Sequence, residues 1–206
     1  MSSQRKQESL RKFNEAASTY DSKSSDWTRR THPFILAELK LEPVTSVLDV
    51  GCGTGTLLSS FDSGVRTAGL DFSPEMMSKA REKLGADADL RVGDSERLPW
   101  SNEAFDAVTI NLSFHHYEHP VTVLREVRRV LKNRGRVIIG DMCPTSLLNR
   151  LVNFFTRFGH GGDVHLYSES EMRRLLEEAE FRDISWKRTT RFTMIVSARA
   201  IKETGA

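Results

Sequence analysis

The most informative segment of the chain is Val47-Leu48-Asp49-Val50-Gly51-Cys52-Gly53-Thr54-Gly55, an apolar run that ends in three alternate glycines. The apolar residues predict a short buried strand. The glycines predict a tight turn whose backbone adopts dihedral angles closed to other residues and approaches a ligand closely. Doubly wound sheets bind their ligands at the carboxyl ends of strands, where this turn lies. Because glycine-rich turns also occur for purely structural reasons, the function has to be argued from further residues.

Strands and helices alternate after this turn, which predicts βαβ units and a mostly parallel sheet. The predicted strands are 47–50, 67–70, 90–92, 105–110, 137–139, about 181–188 and about 191–200. Four helices are predicted between them. Two are residues 56–61 and 120–131, a third begins at Ser73-Pro74-Glu75, and the fourth runs from the capping box at Ser168 to about Ala179. The last two strands lie so close in sequence that they predict an antiparallel hairpin at the sheet edge.

One domain of 206 residues accounts for the whole chain, 1–206. Residues 1–45 form a polar, helical N-terminal lid, in which Leu10, Phe13, Ala16, Ala17 and Tyr20 recur at helical spacing and a second helix begins near Pro33. Residues 47–141 form the core, 144–166 a substrate-covering insertion, and 168–200 the C-terminal helix and hairpin.

Composition narrows the function classes. The net charge of +2 lacks the one-sided basic excess of a nucleic-acid binder. Two cysteines without metal-ligand spacing predict no zinc site and no disulfide framework. With no apolar N-terminal segment and no bilayer-length apolar run, we expect a cytoplasmic protein without stable membrane insertion, either a monomer or a homodimer.

Three carboxylates near the predicted strand ends suit a nucleoside without phosphate. Asp71 ends the second strand, where a carboxylate can accept hydrogen bonds from both ribose hydroxyls, or else only cap the turn. Asp94 ends the third strand, where it would bind the exocyclic amine of adenine or simply form a turn. Asp49 before the glycines would repel a pyrophosphate but attract an ammonium group, and the GxGxG spacing departs from the GxGxxG of dinucleotide sites.

These motifs together resemble the class I S-adenosylmethionine-dependent methyltransferases, in the branch with the ubiquinone and menaquinone biosynthesis enzymes. The resemblance covers about residues 47–141. The matching motifs are, in chain order, residues 47–55, Gly69-Leu70-Asp71-Phe72-Ser73, Gly93-Asp94-Ser95-Glu96-Arg97-Leu98-Pro99-Trp100, Phe105-Asp106-Ala107-Val108, residues 123–132 and Gly135. It implies a Rossmann-like α/β fold: a doubly wound, seven-stranded, mostly parallel sheet with an antiparallel last strand and helices on both faces.

The resemblance also implies a site. S-adenosylmethionine would be the cofactor, S-adenosylhomocysteine the product, and a small molecule the methyl acceptor. The phenylalanines within residues 147–158 favour an apolar or aromatic acceptor. The predicted cofactor residues are Tyr20, Asp49, Gly51, Cys52, Gly53, Gly55, Asp71, Phe72, Asp94, Ser95 and Asn111. Tyr20 is equally well explained as ordinary packing of an amphipathic helix.

Methyl transfer needs a general base only when the acceptor carries a proton, so a catalytic residue is not obligatory. His115 and His116 follow the fourth strand and are the candidate bases; the alternative is that they pack in a loop. No metal site is predicted. Residues 111–114 lack the Asn/Asp-Pro-Pro-aromatic motif of enzymes that methylate nucleobases or glutamine.

Residues 147–158 carry leucines and phenylalanines at helical spacing. Three interpretations stay open for this segment: a cover over the acceptor, ordinary core, or a surface that docks on a membrane. His160 and His165 flank Gly161-Gly162-Asp163, a loop that could reach the acceptor. Two rival functions also remain, a catalytically silent S-adenosylmethionine-binding protein and an NAD-dependent oxidoreductase.

Overall fold

The computed structural model describes residues 4–22, 29–40, 42–143 and 165–202, and the helices and strands given below lie within these ranges. The helices are α1 (Gln4–Ala16), α2 (His32–Leu39), α3 (Pro74–Leu84), α4 (Pro120–Val130) and α5 (Glu169–Glu178). The strands are β1 (Ser46–Val50), β2 (Arg66–Asp71), β3 (Asp89–Val92), β4 (Phe105–Asn111), β5 (Leu131–Met142), β6 (Arg182–Arg188) and β7 (Thr193–Arg199). Residues 147–158, His160 and the loop beside it lie outside the described residues.

The seven strands form one sheet in the order β3-β2-β1-β4-β5-β7-β6. Neighbours from β3 to β5 pair in parallel, whereas β7 runs antiparallel to both β5 and β6. The doubly wound sheet and its reversed last strand are therefore confirmed. So is the closing hairpin, which occupies the edge opposite β3.

Two apolar layers cover the two faces of the sheet because successive side chains of a strand point to opposite faces. Leu48 and Ile139 belong to the layer that contains α4 and α5, whereas Val47 and Ile138 belong to the layer under α2. All four side chains are fully buried. A strand buried on both faces reads as a continuous apolar run, as β1 does.

Local signals fix the helix ends. Ser73 caps α3 by accepting a hydrogen bond from the Met76 amide at 3.1 Å, and Pro74 stands in the first turn. The α5 helix begins with a complete capping box, in which the Ser168 and Glu171 side chains satisfy each other's backbone amides. Both helix starts were predicted from these residue types.

The predicted helix at residues 56–61 is wrong. Only a 3-10 turn, Leu58–Ser60, forms there. The hydroxyls of Ser59 and Ser60 both donate to the Thr56 carbonyl, which competes with helical hydrogen bonding in a segment too short to nucleate a helix.

The predicted strand at 137–139 is too short. The real strand β5 runs from Leu131, which follows α4 directly, to Met142, and its register against β4 shifts between Phe105 and Ala107. The polar residues Lys132, Asn133 and Arg134 hide the start of this strand from a hydrophobic pattern. The extension matters because it places Asp141 near the carboxyl end of the sheet.

Candidate cofactor cleft

A cleft lies at the carboxyl ends of β1, β2 and β4, beneath α1. Its lining includes eight of the predicted cofactor residues, namely Tyr20, Gly51, Gly53, Asp71, Phe72, Asp94, Ser95 and Asn111. His116, one of the two candidate bases, also lines it. Residues far apart in sequence meet here because parallel strands present their carboxyl ends at one edge.

The glycine turn forms the floor of the cleft. Gly51 has φ of +75°, and a Cβ there would lie 2.5 Å from the Ser113 hydroxyl oxygen, so both the backbone and the space require glycine. Gly53 has φ of +54°, but a Cβ there would meet no atom within 4 Å. Gly53 therefore borders open space, which leaves room for a ligand against the turn.

Asp71 lies at the end of β2 with its carboxylate held by backbone amides. Oδ2 accepts from the Gly53 amide at 2.8 Å and Oδ1 accepts from the Ser73 amide at 2.9 Å. Burial raises the pKa of this carboxyl group, while the amide hydrogen bonds lower it. Each oxygen keeps a lone pair for a further donor, so the group can accept hydrogen bonds from a diol.

Asp94 lies at the far end of the cleft and is paired with a lysine of α1. Lys6 Nζ contacts Asp94 Oδ2 and Glu96 Oε1, each at 2.7 Å. The pKa of Lys6 is raised: burial opposes its charge, but hydrogen bonds and attraction from the two carboxylates outweigh that effect. An adenine amine and Lys6 would thus share one carboxylate.

Polar side chains bond the α1 helix and the residues after it to the start and the end of α3, beside the cleft. The Ser73 hydroxyl donates to Asn14 Oδ1 at 2.6 Å, and Asp21 pairs with Lys83 of α3 at 2.7 Å. Tyr20 faces Asp71, and burial followed by that carboxylate raises the pKa of its phenol. The N-terminal segment therefore borders the cleft, and Tyr20 is one of its lining residues.

Three predicted cofactor residues lie behind the cleft wall. Asp49 is 1% exposed and accepts a hydrogen bond from the Thr109 hydroxyl at 2.7 Å. Burial, with the nearby Asp71 charge, raises the pKa of Asp49 to about 7. Cys52 packs against Met77 in an apolar cluster, and Gly55 packs on α3 against Leu84.

None of these three residues is among those that line the cleft, so their contact with a cofactor stays a prediction. The Asp49 side chain joins β1 to β4 through its hydrogen bond with Thr109. Cys52 and Gly55 pack beside it against Met77 and Leu84.

The end of β4 forms the opposite wall. Asn111 faces the cleft, and its side-chain oxygen accepts a short hydrogen bond from the buried Thr31 hydroxyl. Ser113 donates to the Val50 carbonyl at 3.1 Å and so ties this wall to the glycine turn.

The two candidate bases are placed differently. The His116 ring lines the cleft, edge-on to Phe13 of α1 with the ring centroids 5.4 Å apart. His115 is 6% exposed and does not line the cleft; its Nδ1 lies 2.6 Å from Asp141 Oδ1. His165 lies beside them, with its amide donating to the His115 carbonyl at 3.0 Å.

Several lining residues were missed by the sequence reasoning, among them Lys6, Ser9, Met76, Leu112, Ser113, Tyr117 and Glu118. Leu10 and Phe13 were recognised only as an apolar helix face. The one available signal was their position, since Leu112 to Glu118 directly follow a strand end. Asp141 carried no signal at all because it lies in the last part of β5, which was not predicted as strand.

The residues present fit an S-adenosyl cofactor. A buried, amide-held carboxylate stands where a ribose diol would bind, the turn at Gly53 leaves open space, and the Asp94 carboxylate could receive an amine. Among the described residues, no group of three or more His, Cys, Asp and Glu side chains could hold a metal ion. No helix in the described part of the chain is long and apolar enough to cross a bilayer.

Comparisons with known proteins agree with this geometry. Residues 48–139 match the family model described as a methyltransferase domain. A demethylmenaquinone methyltransferase of Thermotoga maritima is 31% identical over 188 residues, which cover 81% of this chain and 80% of that protein. A ubiquinone/menaquinone biosynthesis C-methyltransferase UbiE of Desulfotalea psychrophila is 26% identical over 204 residues, or 85% of this chain and 83% of that one.

Solved structures share the fold. A protein described as a methyltransferase, solved in complex with the Haloferax volcanii Trm112 methyltransferase activator, superimposes with a TM-score of 0.80 at 22% identity, covering 92% of this chain and 98% of that one. The rival interpretation as an NAD-dependent oxidoreductase is not favoured by these matches. The chain belongs to the class I S-adenosylmethionine-dependent methyltransferases and uses S-adenosylmethionine as its methyl donor.

Proposed function

We propose that this enzyme methylates a ring carbon of a small hydroxylated aromatic, the reduced form of a quinone. The observation that carries the proposal is the apolar and aromatic wall after β4, where Leu112 and Tyr117 line the cleft together with His116 and with Phe13 of α1. An aromatic acceptor would pack against such a wall, while its hydroxyl would find a polar group within it. The names of the relatives in Thermotoga maritima and Desulfotalea psychrophila support the same acceptor class.

For the cofactor we propose that Asp71 binds the ribose diol, Asp94 the adenine amine, and the Gly51–Gly53 turn the methionine portion. The support is the position of these groups along one cleft. Tyr20 would close the cleft over the ribose, since its phenol faces Asp71. A cytoplasmic location and a monomeric or dimeric state stay predictions; both cysteines are free and buried, as a reducing compartment would allow.

The reaction places few demands on the protein. Alignment of the acceptor with the methyl group contributes roughly 7–11 kcal/mol in well-oriented systems. The walls of the cleft supply that alignment, and the α1 cover excludes water. A hydroxyl on the acceptor ring must donate electron density, so the quinol and not the oxidised quinone is the expected substrate.

The test uses the full chain with S-adenosylmethionine labelled in its methyl group. Two acceptors are compared, 1,4-dihydroxynaphthalene kept reduced and the same ring as 1,4-naphthoquinone, with products identified by mass and by carbon NMR. We expect a carbon-bound methyl group on the reduced acceptor alone. Transfer to oxygen, transfer to an amine offered in parallel, or no turnover with any dihydroxynaphthalene would refute the quinol assignment.

A further inference from the structure

Behind the wall after β4 lies a buried pair of side chains, Asp141 and His115, that cofactor binding does not require. The Asp141 and His115 side chains are 3% and 7% exposed, and Asp141 Oδ1 lies 2.6 Å from His115 Nδ1. The other carboxylate oxygen accepts from the His115 backbone amide at 3.0 Å, and the Met142 amide donates to Oδ1 at 2.7 Å. These hydrogen bonds fix the orientation of the carboxylate and of the imidazole ring.

The fixed ring lies directly against His116. The two ring centroids are 4.1 Å apart with an angle of 47° between the planes. Among the described residues, the buried Nδ1 atom of His116 has no hydrogen-bond partner. Buried polar atoms without a partner are rare, and this one belongs to a ring whose other side lines the cleft.

The charges around His116 define what it can do. Burial, then the neighbouring His115, lowers the pKa of His116 to about 3, while Asp141 acts in the opposite direction and Lys12 of α1 adds to the lowering. His116 is therefore neutral at neutral pH, and only a neutral imidazole can accept a proton. An imidazolium formed there would depend on Asp141 for its stabilisation, because the other neighbours named oppose the charge.

We propose that His116 accepts the hydroxyl proton of the methyl acceptor and that Asp141, acting through His115, is the positioning residue that stabilises the resulting imidazolium. This inference rests on the proposed function, because it needs an acceptor with an ionisable hydroxyl. His116 faces the cleft and is the catalytic residue; His115 and Asp141 do not face it.

In the proposed reaction, the hydroxyl proton passes to His116. An electron pair of the resulting phenolate then forms the bond between the ring carbon and the methyl carbon. The bond from that methyl to sulfur breaks, and its electron pair stays on sulfur. The displaced ring proton leaves to solvent, His116 returns its proton to the oxygen, and one proton is released overall.

The activity test compares two acceptors that differ only in hydroxyl acidity, 1,4-dihydroxynaphthalene and a polyfluorinated derivative already ionised at the assay pH. We expect His116→Gln to lower kcat about 100-fold on the first acceptor, within the usual range for a general base, but less than about 5-fold on the second. Asp141→Asn should show the same selectivity at about 10-fold, with an unchanged KM for S-adenosylmethionine. His119→Gln is the matched control, since His119 is exposed in the same loop.

Equal losses on the two acceptors would overturn the inference, because a merely structural role does not depend on acceptor acidity. A second measurement is independent of turnover: NMR of protein labelled with ¹⁵N-histidine, bound to S-adenosylhomocysteine. We expect Asp141→Asn to move the ring nitrogen signals of His116, whereas unchanged signals would refute the coupling to Asp141. If wild-type enzyme turns over neither acceptor while Asp141→Asn still moves these signals, the quinol assignment fails and the coupling stands.

Discussion

The wall of the cleft at β1 and β2 is held by backbone amides, whereas the wall after β4 is held by side chains from distant parts of the chain. Asp71 accepts from the amides of Gly53 and Ser73, all within one βαβ unit. His116, in contrast, stands between Phe13 of α1 and the His115–Asp141 pair, which joins the loop after β4 to the end of β5.

This difference suggests that the first wall, at β1 and β2, serves cofactor binding and the second wall, after β4, serves acceptor binding. Amide donors cannot be removed by changing a side chain, so the first wall keeps its shape under most substitutions and depends on a few glycines and Asp71. The second wall is made of replaceable side chains, which suits the part of a methyltransferase that must fit one acceptor. We therefore expect changes in the first wall to affect cofactor binding and changes in the second to affect the acceptor.

The largest effect is expected from Asp71→Ala, which removes the one side chain essential to the first wall. Two hydrogen bonds from a ribose diol to a charged group contribute about 1.5–3 kcal/mol each, so affinity for S-adenosylhomocysteine should fall at least 100-fold. Isothermal titration calorimetry measures the change. Asp87→Ala, at an exposed position after α3, is the matched control. An affinity within threefold of wild type would contradict the ribose assignment and with it the division between the walls.

The next prediction compares two substitutions inside the first wall, Gly51→Ala and Gly53→Ala. Both glycines have positive φ, which costs about 1 kcal/mol for alanine. Only at Gly51 would the new Cβ also collide with Ser113, which adds roughly 1–3 kcal/mol. Urea denaturation should thus show Gly51→Ala to be the less stable variant, whereas Gly53→Ala should mainly weaken S-adenosylhomocysteine binding by filling the cleft. Equal stability losses in the two variants would show that Ser113 does not constrain the turn.

The smallest effect concerns Asp49, whose pKa of about 7 lies above the ordinary value near 3.9. The folded protein therefore binds one more proton than the unfolded chain between about pH 4 and pH 7, and its stability falls as the pH rises through that window. Asp49→Asn carries no charge at either pH, so its free energy of unfolding relative to wild type should be higher at pH 8 than at pH 4.5. Urea denaturation at both pH values measures this difference. If the difference in free energy of unfolding between Asp49→Asn and wild type were the same at pH 4.5 and pH 8, it would contradict a buried Asp49 carboxyl group with a raised pKa. Asp87→Asn, at an exposed position, is the control.

The first wall could be predicted from the sequence better than the second. Strand β1, the glycine turn, Asp71 and Asp94 were all predicted, because each is recognised from residues close to it in sequence. The helix predicted at residues 56–61 failed because serine hydroxyls compete for the backbone, which a hydrophobic pattern does not register. The start of β5 failed for a related reason, since polar residues at its beginning interrupt the apolar run.

Short-range sterics and hydrogen bonding fix the alternation of strands and helices, the helix caps at Ser73 and Ser168, and the glycine turn of the first wall. The order of residues is therefore enough to predict these features. It is not enough to predict the hydrogen bond between Asp49 and Thr109, the pairing of Lys6 with Asp94, or the contact of Asp141 with His115 beside His116. These contacts join elements far apart along the chain, and they exist only because the parallel sheet brings the strand ends together under α1.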